Sequence, residues 1–547
     1  MKNKLIKSIL TLSAVSAIAF TSCKKKLDDA YANPNATTRV PVESILPSLI
    51  GNFVGSSAAA GSAYGLANDG LLVGRYIQYW ETNTTGNAFD QMAGATGASD
   101  NMGSIWAMHY FGQGQNLNRM VEWAAEEQKW DYVGVGTAIR AWSWLMLTNQ
   151  YGEVILKQAF NTQLQQFLYD NQNEVYDSVR AQCFRALDYL NMTGGAVSPA
   201  NLAIGDAYFN GGDVNKWKKF VYGIMARSYG YLSNKTTYNA DSVVKYANLA
   251  MTTNADNATA KFANTGISGT SSYYGILRGN VGTIRQGAYI ADLMSGLNPD
   301  IFTGVEDPRN WYILRENPNG TFKGTRPNKG TSGLTTNDQP SNFWGGTFAT
   351  TAGPANENNC RYIFRNAAEF PIMTAAEMQF LKAEALFRKG DKAGALAAYQ
   401  NAISLNFDML TTTYSTNVPA AKQITATIKA NFLARPEIVP TAANLTLSHI
   451  MLQKYIALYG FGMHETWADM RRYHYNKDLD PVSGKPVYVG FTPPSGADLY
   501  PDNNGNLVYR ARPRYNSEYL YNIPELTRIG AFPGLDYHTK EPWFTQK

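Results

Sequence analysis

Apolar residues recur at helical spacing through two long parts of the chain, about residues 40–252 and 371–474. The stretch AIRAWSWLML, starting at Ala138, is apolar on nearly all sides, which predicts a deeply buried helix. The predicted helices lack a fixed repeat period, so we expect a mainly α fold built from divergent, tetratricopeptide-like helical hairpins. Helices are predicted at 131–148, 173–191, 213–233 and 240–252.

One helical hairpin can be predicted in detail at residues 374–405. Thr374 and Glu377 form a capping box ahead of an apolar run, and Gly390 ends that helix. We therefore expect two helices packed across a short turn, with a structural role. The second helix presents one continuous apolar face, which consists of Ala395, Leu396, Tyr399, Ala402 and Ile403.

Residues 253–370 and 475–547 differ in composition from the helical parts: they are rich in Gly, Asn, Thr, Pro and aromatic residues and lack helical periodicity. The segments 317–320 and 503–505 are turn signals, and short Tyr/Val-containing runs around the second predict a minor β-hairpin. Regions this long cannot be structureless in a compact domain. We expect long irregular loops that pack on the helical scaffold and carry the ligand site, in one composite globule spanning 40–547.

The N-terminus has the pattern of an export signal. A lysine-containing start and a short apolar run precede Phe20-Thr21-Ser22-Cys23, which matches a bacterial lipobox. The run is too short to span a membrane, which takes ~20 apolar residues. The sequence therefore predicts a signal peptide at 1–22, lipidation of Cys23, and a tether over 23–39.

Charge and cysteine content exclude two classes of protein. The formal net charge is +5, but setting aside the six lysines of the first 26 residues leaves 42 basic and 43 acidic residues. A chain whose basic and acidic residues nearly balance lacks the excess of positive charge that nucleic-acid binding requires. Three cysteines cannot build a disulfide scaffold. Cys183 lies at helical spacing with apolar residues and is expected in the core, Cys360 lies in a polar loop, and a bridge between them stays open.

The partial catalytic and metal-binding motifs of the sequence each lack a required residue. His464-Glu465 begins like a zinc-protease helix, but Ala468 occupies the place of the second histidine. Glu465 and Asp469 lie one helical turn apart and are followed by two arginines, which favours a salt-bridged helix end over an acid/base pair. We expect no enzyme activity, metal or cofactor, although carboxylates far apart in sequence leave glycoside hydrolysis open.

Aromatic residues make up 13% of the chain and carry the main functional signal. Paired aromatic residues in Gly/Asn-rich loops suit stacking against sugar rings, with neighbouring polar side chains hydrogen-bonding the hydroxyls. The alternative is that these rings anchor the loops to the helical body. The predicted ligand-binding residues are Trp311, Tyr312, Trp344, Phe343, Trp80, Tyr273 and Tyr274.

Four stretches together resemble the SusD/RagB nutrient-binding outer-membrane lipoproteins. They are the lipobox with the following NPNAT and Leu46-Pro47, AIRAWSWLMLTNQYGEV at 138–154, EMQFLKAEALFRKGD at 377–391, and MLQKYIALYGFGMHETWADMRRY at 451–473. The resemblance implies a tetratricopeptide-like scaffold whose irregular loops hold the ligand. It also implies a partner, a SusC-like TonB-dependent transporter of the outer membrane. It transfers no ligand residue by residue.

Three functions of different classes follow from these observations. The first is a lipid-anchored receptor at the cell surface that captures an oligosaccharide, or with less support a peptide, for the transporter. The second is a surface glycoside hydrolase. The third is a structural outer-membrane lipoprotein, which buried loop aromatics would favour.

Overall fold

The helices of the computed structural model follow the apolar periodicity of the sequence. Residues described by the structure are 39–54, 69–86, 90, 92, 101–265, 272, 274–275, 281–354 and 356–547. The helices of the first half are α1 (Val42–Gly51), α2 (Asp69–Tyr76), α3 (Ser104–Ala107), α4 (Gly114–Glu126), α5 (Trp130–Tyr151), α6 (Gln172–Leu190), α7 (Pro199–Gly205), α8 (Val214–Gly230) and α9 (Ala240–Leu249).

The second half of the chain has its longest helices where the periodicity predicted them. Residues 42–547 belong to one compact unit. The helices are α10 (Ala288–Met294), α11 (Asn310–Ile313), α12 (Ala375–Arg388), α13 (Lys392–Thr413), α14 (Ala426–Leu433), α15 (Leu447–Ala457), α16 (Met463–Arg472) and α17 (Ile523–Arg528).

Consecutive helices pack side by side, which confirms the predicted mainly α scaffold of helical hairpins. The main pairs are α5 with α6, α8 with α9, and α12 with α13, and α12 also contacts α9 and α15. Helix α5 contains the all-round apolar stretch, and Trp142 at its centre has no exposed surface. Because α5 is covered on every side, it forms the middle of the first group of helices.

The hairpin of α12 and α13 has the predicted Thr374 cap and Gly390 turn, but only one half of the predicted capping box forms. The Thr374 side chain accepts a hydrogen bond from the Glu377 backbone N–H at 3.2 Å, which satisfies one free donor of the first turn. Gly390, with φ of +86°, ends the turn in the left-handed region that favours glycine. The Glu377 side chain does not return to the cap, because it pairs with a buried arginine described below.

The β-strands among the described residues form two short antiparallel pairs between segments far apart in the chain. β1 (Trp80–Thr82) pairs with β3 (Ile284–Gln286), and β2 (Ala258–Ala260) pairs with β4 (Phe370–Met373). The expected hairpin around 503–505 was wrong. Its turn forms, with Asn504 at φ of +50°, but the flanking described residues contain no strand.

Buried arginines bind the segments of the loop-rich region 253–370 to one another. Arg285 is fully buried and donates to the backbone carbonyls of Phe348 and Thr350, the second at 2.7 Å. Arg315 donates to the carbonyls of Phe343, at 2.6 Å, and Asn359. Backbone carbonyls in loops need a donor when they are buried. These side chains order the loops where strand or helix partners are missing.

The two cysteines of the described region are both buried and free, so they form no bridge. Cys183 lies in the core as its helical spacing predicted, and burial raises the pKa of its thiol. Cys360 also has no exposed surface, although its neighbours in sequence are polar. The predicted lipidation site Cys23 lies outside the described residues.

Candidate functional site

A cavity of about 390 Å³ lies beside β1 and α10 and is lined mainly by loops. We call it the polar cleft. Its lining includes Gln78, Tyr289, Asp292, Asn298, Arg326, Lys329, Gly490, Ser495 and Asp498, together with prolines 299, 327, 493 and 494.

Three backbone segments meet at the base of the polar cleft with no room for side chains. The Gly287 N–H donates to the Tyr79 carbonyl at 3.0 Å, and the Ala288 N–H donates to the Thr325 carbonyl at 2.8 Å. A Cβ atom at Gly287 would lie 2.2 Å from the Gln78 carbonyl oxygen. Glycine is therefore required where β3 passes into α10.

Gln78 joins two segments that are far apart in the chain at the cleft wall. Its backbone has φ of +63°, an uncommon conformation for a residue other than glycine. Its Nε2 donates to the Thr492 carbonyl at 2.6 Å, across 414 residues of sequence. Strained residues of this kind cluster at binding sites when the surrounding contacts hold them in place.

Charges of both signs line the cleft. Lys329 Nζ lies 3.1 Å from each carboxylate oxygen of Asp498. Burial raises the pKa of Asp292 above its ordinary value, and the nearby cations Arg326 and Lys323 oppose that rise. Amide, carboxylate and ammonium groups beside flat proline rings can hydrogen-bond hydroxyls and pack against C–H faces.

Four of the predicted ligand-binding aromatic residues meet in a buried cluster beneath the loops. Trp80, Tyr274, Phe343 and Trp344 each have at most 2% of their surface exposed. The Trp80 ring lies 6.0 Å from Tyr274 and 6.5 Å from Phe343, and Trp344 Nε1 donates to the Tyr274 carbonyl at 3.1 Å. In this structure they form core under β1 and present no ring face for stacking.

The other predicted aromatic residues lie apart from this cluster. Tyr312 is buried, and its hydroxyl accepts the Ile424 N–H at 3.0 Å. Trp311 is half-buried, stands edge-on to Phe322 at 5.0 Å, and has Lys422 Nζ 4.6 Å from its ring centre. Tyr273 lies outside the described residues.

The paired acids of α16 form ion pairs in the core, which confirms the salt-bridged interpretation. Arg227 binds Glu377 at 2.7 Å and Glu465 at 2.9 Å. Asp469 binds Arg472 at 2.6 Å and Lys454 at 2.7 Å. These carboxylates are buried and paired with cations, so they are not accessible to a substrate.

Sequence reasoning missed most of the polar cleft. Its lining comes from proline and charged residues of loops, which have no periodicity or motif to mark them. The signal in the sequence was the unusual density of Pro, Asn and Gly in 253–370 and 475–547, where most of the lining residues of this cleft lie. Among the described residues, no group of three His, Cys, Asp or Glu side chains could hold a metal ion.

The chain is similar in sequence to one protein family and in fold to several solved structures. A family model described as SusD-like, starch-binding and associating with the outer membrane matches residues 41–486. A SusD/RagB family protein from Bacteroides thetaiotaomicron has 19% identity and a TM-score of 0.67, over 93% of this chain and 99% of the other. A chitin-binding protein has 16% identity and a TM-score of 0.65, over 93% and 100%. No curated protein matches the chain.

A similar fold occurs in a SusD homologue from Bacteroides fragilis, with 17% identity and a TM-score of 0.64 over 93% of this chain and 100% of the other. The structure is a scaffold of helical hairpins that carries long loops, and these loops form most of the polar cleft. The chain belongs to the SusD-like family, which is described as associating with the outer membrane. Within the described residues, the structure has no helix with the length and apolarity to cross a membrane.

Proposed function

We propose that the protein is a non-enzymatic receptor, lipid-anchored at the outer membrane and facing the cell surface. It captures an oligosaccharide, or with less support a peptide, and delivers it to a SusC-like TonB-dependent transporter. The observation that carries the proposal is the family match over 41–486, in a family described as starch-binding. The polar cleft supports it, because its donors, acceptors and proline faces complement a hydroxyl-rich ligand.

Binding and turnover are tested together with the full chain purified in detergent. Calorimetric titration with starch and chitin oligosaccharides should give dissociation constants from ~1 μM to ~1 mM, because each hydroxyl contact replaces a contact with water. The recovered sugar should be uncleaved. Cleaved product would overturn the receptor assignment in favour of a glycoside hydrolase, and absence of binding to both series would favour a structural role.

The lipid anchor has its own test. Cys23→Ala should move the protein from the membrane fraction to the soluble fraction, because no other anchor is proposed. A Cys183→Ala variant, altered at a buried cysteine of the core, is the control and should stay in the membrane fraction. If Cys23→Ala stays membrane-bound like the wild type, the anchor has been misassigned.

Among the predicted aromatic residues that the structure describes, Trp311 is the one that is not buried, and it stays part of this proposal. We expect Trp311→Ala to weaken oligosaccharide binding while the fold is kept. Trp344→Ala should instead lower the free energy of unfolding by ~3–5 kcal/mol, since it empties a buried site. Wild-type affinity in a folded Trp311→Ala variant would remove that residue from the site.

A further inference from the structure

A second cavity of about 270 Å³ lies over the first turn of α15, next to the polar cleft. We call it the His449 cavity. Asn298 and Gly490 line the polar cleft, whereas Asp300 and Val489 line the His449 cavity. Asn298 Nδ2 lies 3.4 Å from the Val489 carbonyl, and a Cβ at Gly490 would lie 2.4 Å from the same nitrogen. Residues adjacent in sequence on these two loops therefore line both cavities, and the loops touch each other between them.

His449 contributes its ring to the lining of this cavity. The Thr446 hydroxyl oxygen accepts the His449 backbone N–H at 3.1 Å and lies 2.6 Å from His449 Nδ1. Either atom of this pair can donate, so Nε2 carries the ring proton when Nδ1 accepts from the hydroxyl and a lone pair when Nδ1 donates. In both tautomers Nε2 offers one hydrogen-bonding position. Burial lowers the pKa of His449 to about 4, which keeps the ring neutral at pH 7.

The remaining lining is polar and electrically mixed. Lys485 and Asp300 form an ion pair of 2.8 Å at the exposed rim. Ser448 Oγ donates to the Pro486 carbonyl at 3.3 Å, and the Phe302 ring lies almost fully buried beside the cavity. Glu437 also lines the cavity, and Arg435 Nε lies 3.3 Å from its carboxylate, so each charged group of the lining has an ion-pair partner. Such a surface suits a neutral ligand rich in hydroxyl groups.

We propose that the His449 cavity is a second subsite, which binds a further sugar unit of the same oligosaccharide that occupies the polar cleft. The inference rests on the proposed function. Once the first part of a chain is bound, contacts in the neighbouring cavity form intramolecularly and add to the affinity. Short sugars can fill only one of the two cavities, so the affinity gain with chain length is the property that this subsite controls.

The experiment measures affinity against chain length with the full chain in detergent. Maltose, maltoheptaose, chitobiose and chitohexaose are titrated against wild type, His449→Phe, and the rim variant with Lys485→Met and Asp300→Asn. His449→Phe retains a ring between Phe302 and Tyr399 and removes the hydrogen-bonding group at Nε2. We expect it to weaken binding of the longer sugar by ~3–10-fold, the loss of about one hydrogen bond, and to leave the disaccharide unchanged.

A matched control separates the subsite from a general effect of removing an ion pair. Lys429 and Asp408 form an exposed pair of 2.6 Å between α14 and α13, outside both cavities. The variant with Lys429→Met and Asp408→Asn should bind every sugar like the wild type. Circular dichroism of each variant checks the fold.

The outcomes are distinct. Loss of the chain-length gain in both cavity variants, with the control unaffected, supports the subsite. Retention of the full gain in the folded cavity variants overturns it, and so does a wild type that binds the disaccharide and the long sugar equally. If the wild type binds neither series at any length, the proposed function fails and the subsite falls with it.

Discussion

At the residue scale, buried cations pair with the acids that the sequence places one helical turn apart, Glu465 and Asp469. Arg227 is the clearest case, because it has two carboxylates and the Ile372 carbonyl, at 2.8 Å, as partners. Removing one member of such a buried ion pair is costly because it leaves an unpaired charge in the core. The sequence predicted Glu377 as part of a helix cap and Glu465 as part of a salt-bridged helix end, and the structure gives both the same buried partner.

Gly287 is the residue at which the close approach beneath the cleft can be tested. Gly287→Ala should lower the free energy of unfolding by ~1–3 kcal/mol, because the added methyl group overlaps the Gln78 carbonyl and forces the backbone apart. Urea denaturation measures the change. Gly51→Ala, at a helix position with open space around its Cβ, is the control and should be neutral. Wild-type stability in Gly287→Ala would contradict the described geometry.

His474 predicts a pH dependence of stability. Hydrogen bonds to Asp478 at 2.9 Å and then to Glu541 raise the pKa of His474 to about 9. A raised pKa means that the charged form stabilises the fold fully below the unfolded pKa of ~6.5, and that this contribution fades as pH rises through 9. Thermal melts of wild type and His474→Gln should differ at pH 6 and converge near pH 10. An equal difference across that range would count against the ion pairs.

At the element scale, local sequence rules hold for the long helices. The helix predicted at 173–191 is observed as α6 at Gln172–Leu190, and that predicted at 240–252 is observed as α9 at Ala240–Leu249. Periodicity and caps are local properties, so they can be read without knowing the partner element. The hairpin at 503–505 fails for the opposite reason, because the Tyr/Val runs beside it find partners elsewhere in the fold. The Val508 N–H, for example, donates to the Tyr76 hydroxyl at 2.8 Å.

The hairpin of α12 and α13 is predicted to depend on small residues at its contact face. Ala395 has no exposed surface, so Ala395→Leu should overpack the interface and lower the free energy of unfolding by ~1–3 kcal/mol. Oligosaccharide affinity of the folded variant should change little. Ala397, exposed on the same helix, provides the control Ala397→Leu. Equal thermal stability of both variants would show that this face is not packed as described.

At the scale of the whole molecule, the C-terminal segment closes the helical body. Phe544 is fully buried, its N–H donates to the Gln172 side chain of α6 at 2.9 Å, and the Arg471 guanidinium of α16 lies 5.1 Å from its ring. Residues from the end of the chain thereby hold together helices that are almost 300 positions apart in sequence.

Phe544→Ala tests that closure. We expect the free energy of unfolding to fall by ~3–5 kcal/mol, the usual cost of emptying a buried phenylalanine site. Tyr521→Ala removes an aromatic side chain that is 66% exposed and should change stability by less than ~0.5 kcal/mol. Guanidinium titration compares the two. Similar midpoints for Phe544→Ala and wild type would mean that the terminal segment does not close the core.

The sequence by itself determined the helical scaffold, the membership of the family and the regions that carry loops, because periodicity, caps and the order of motifs are written along the chain. Only the tertiary structure decided which residues line the polar cleft and that Trp80 and Trp344 lie beneath the surface. The physical reason for the cleft is distance along the chain, because Gln78, Lys329 and Asp498 come together from segments hundreds of residues apart. The reason for the aromatic residues is that a ring in a loop has the same sequence pattern whether it faces solvent or core.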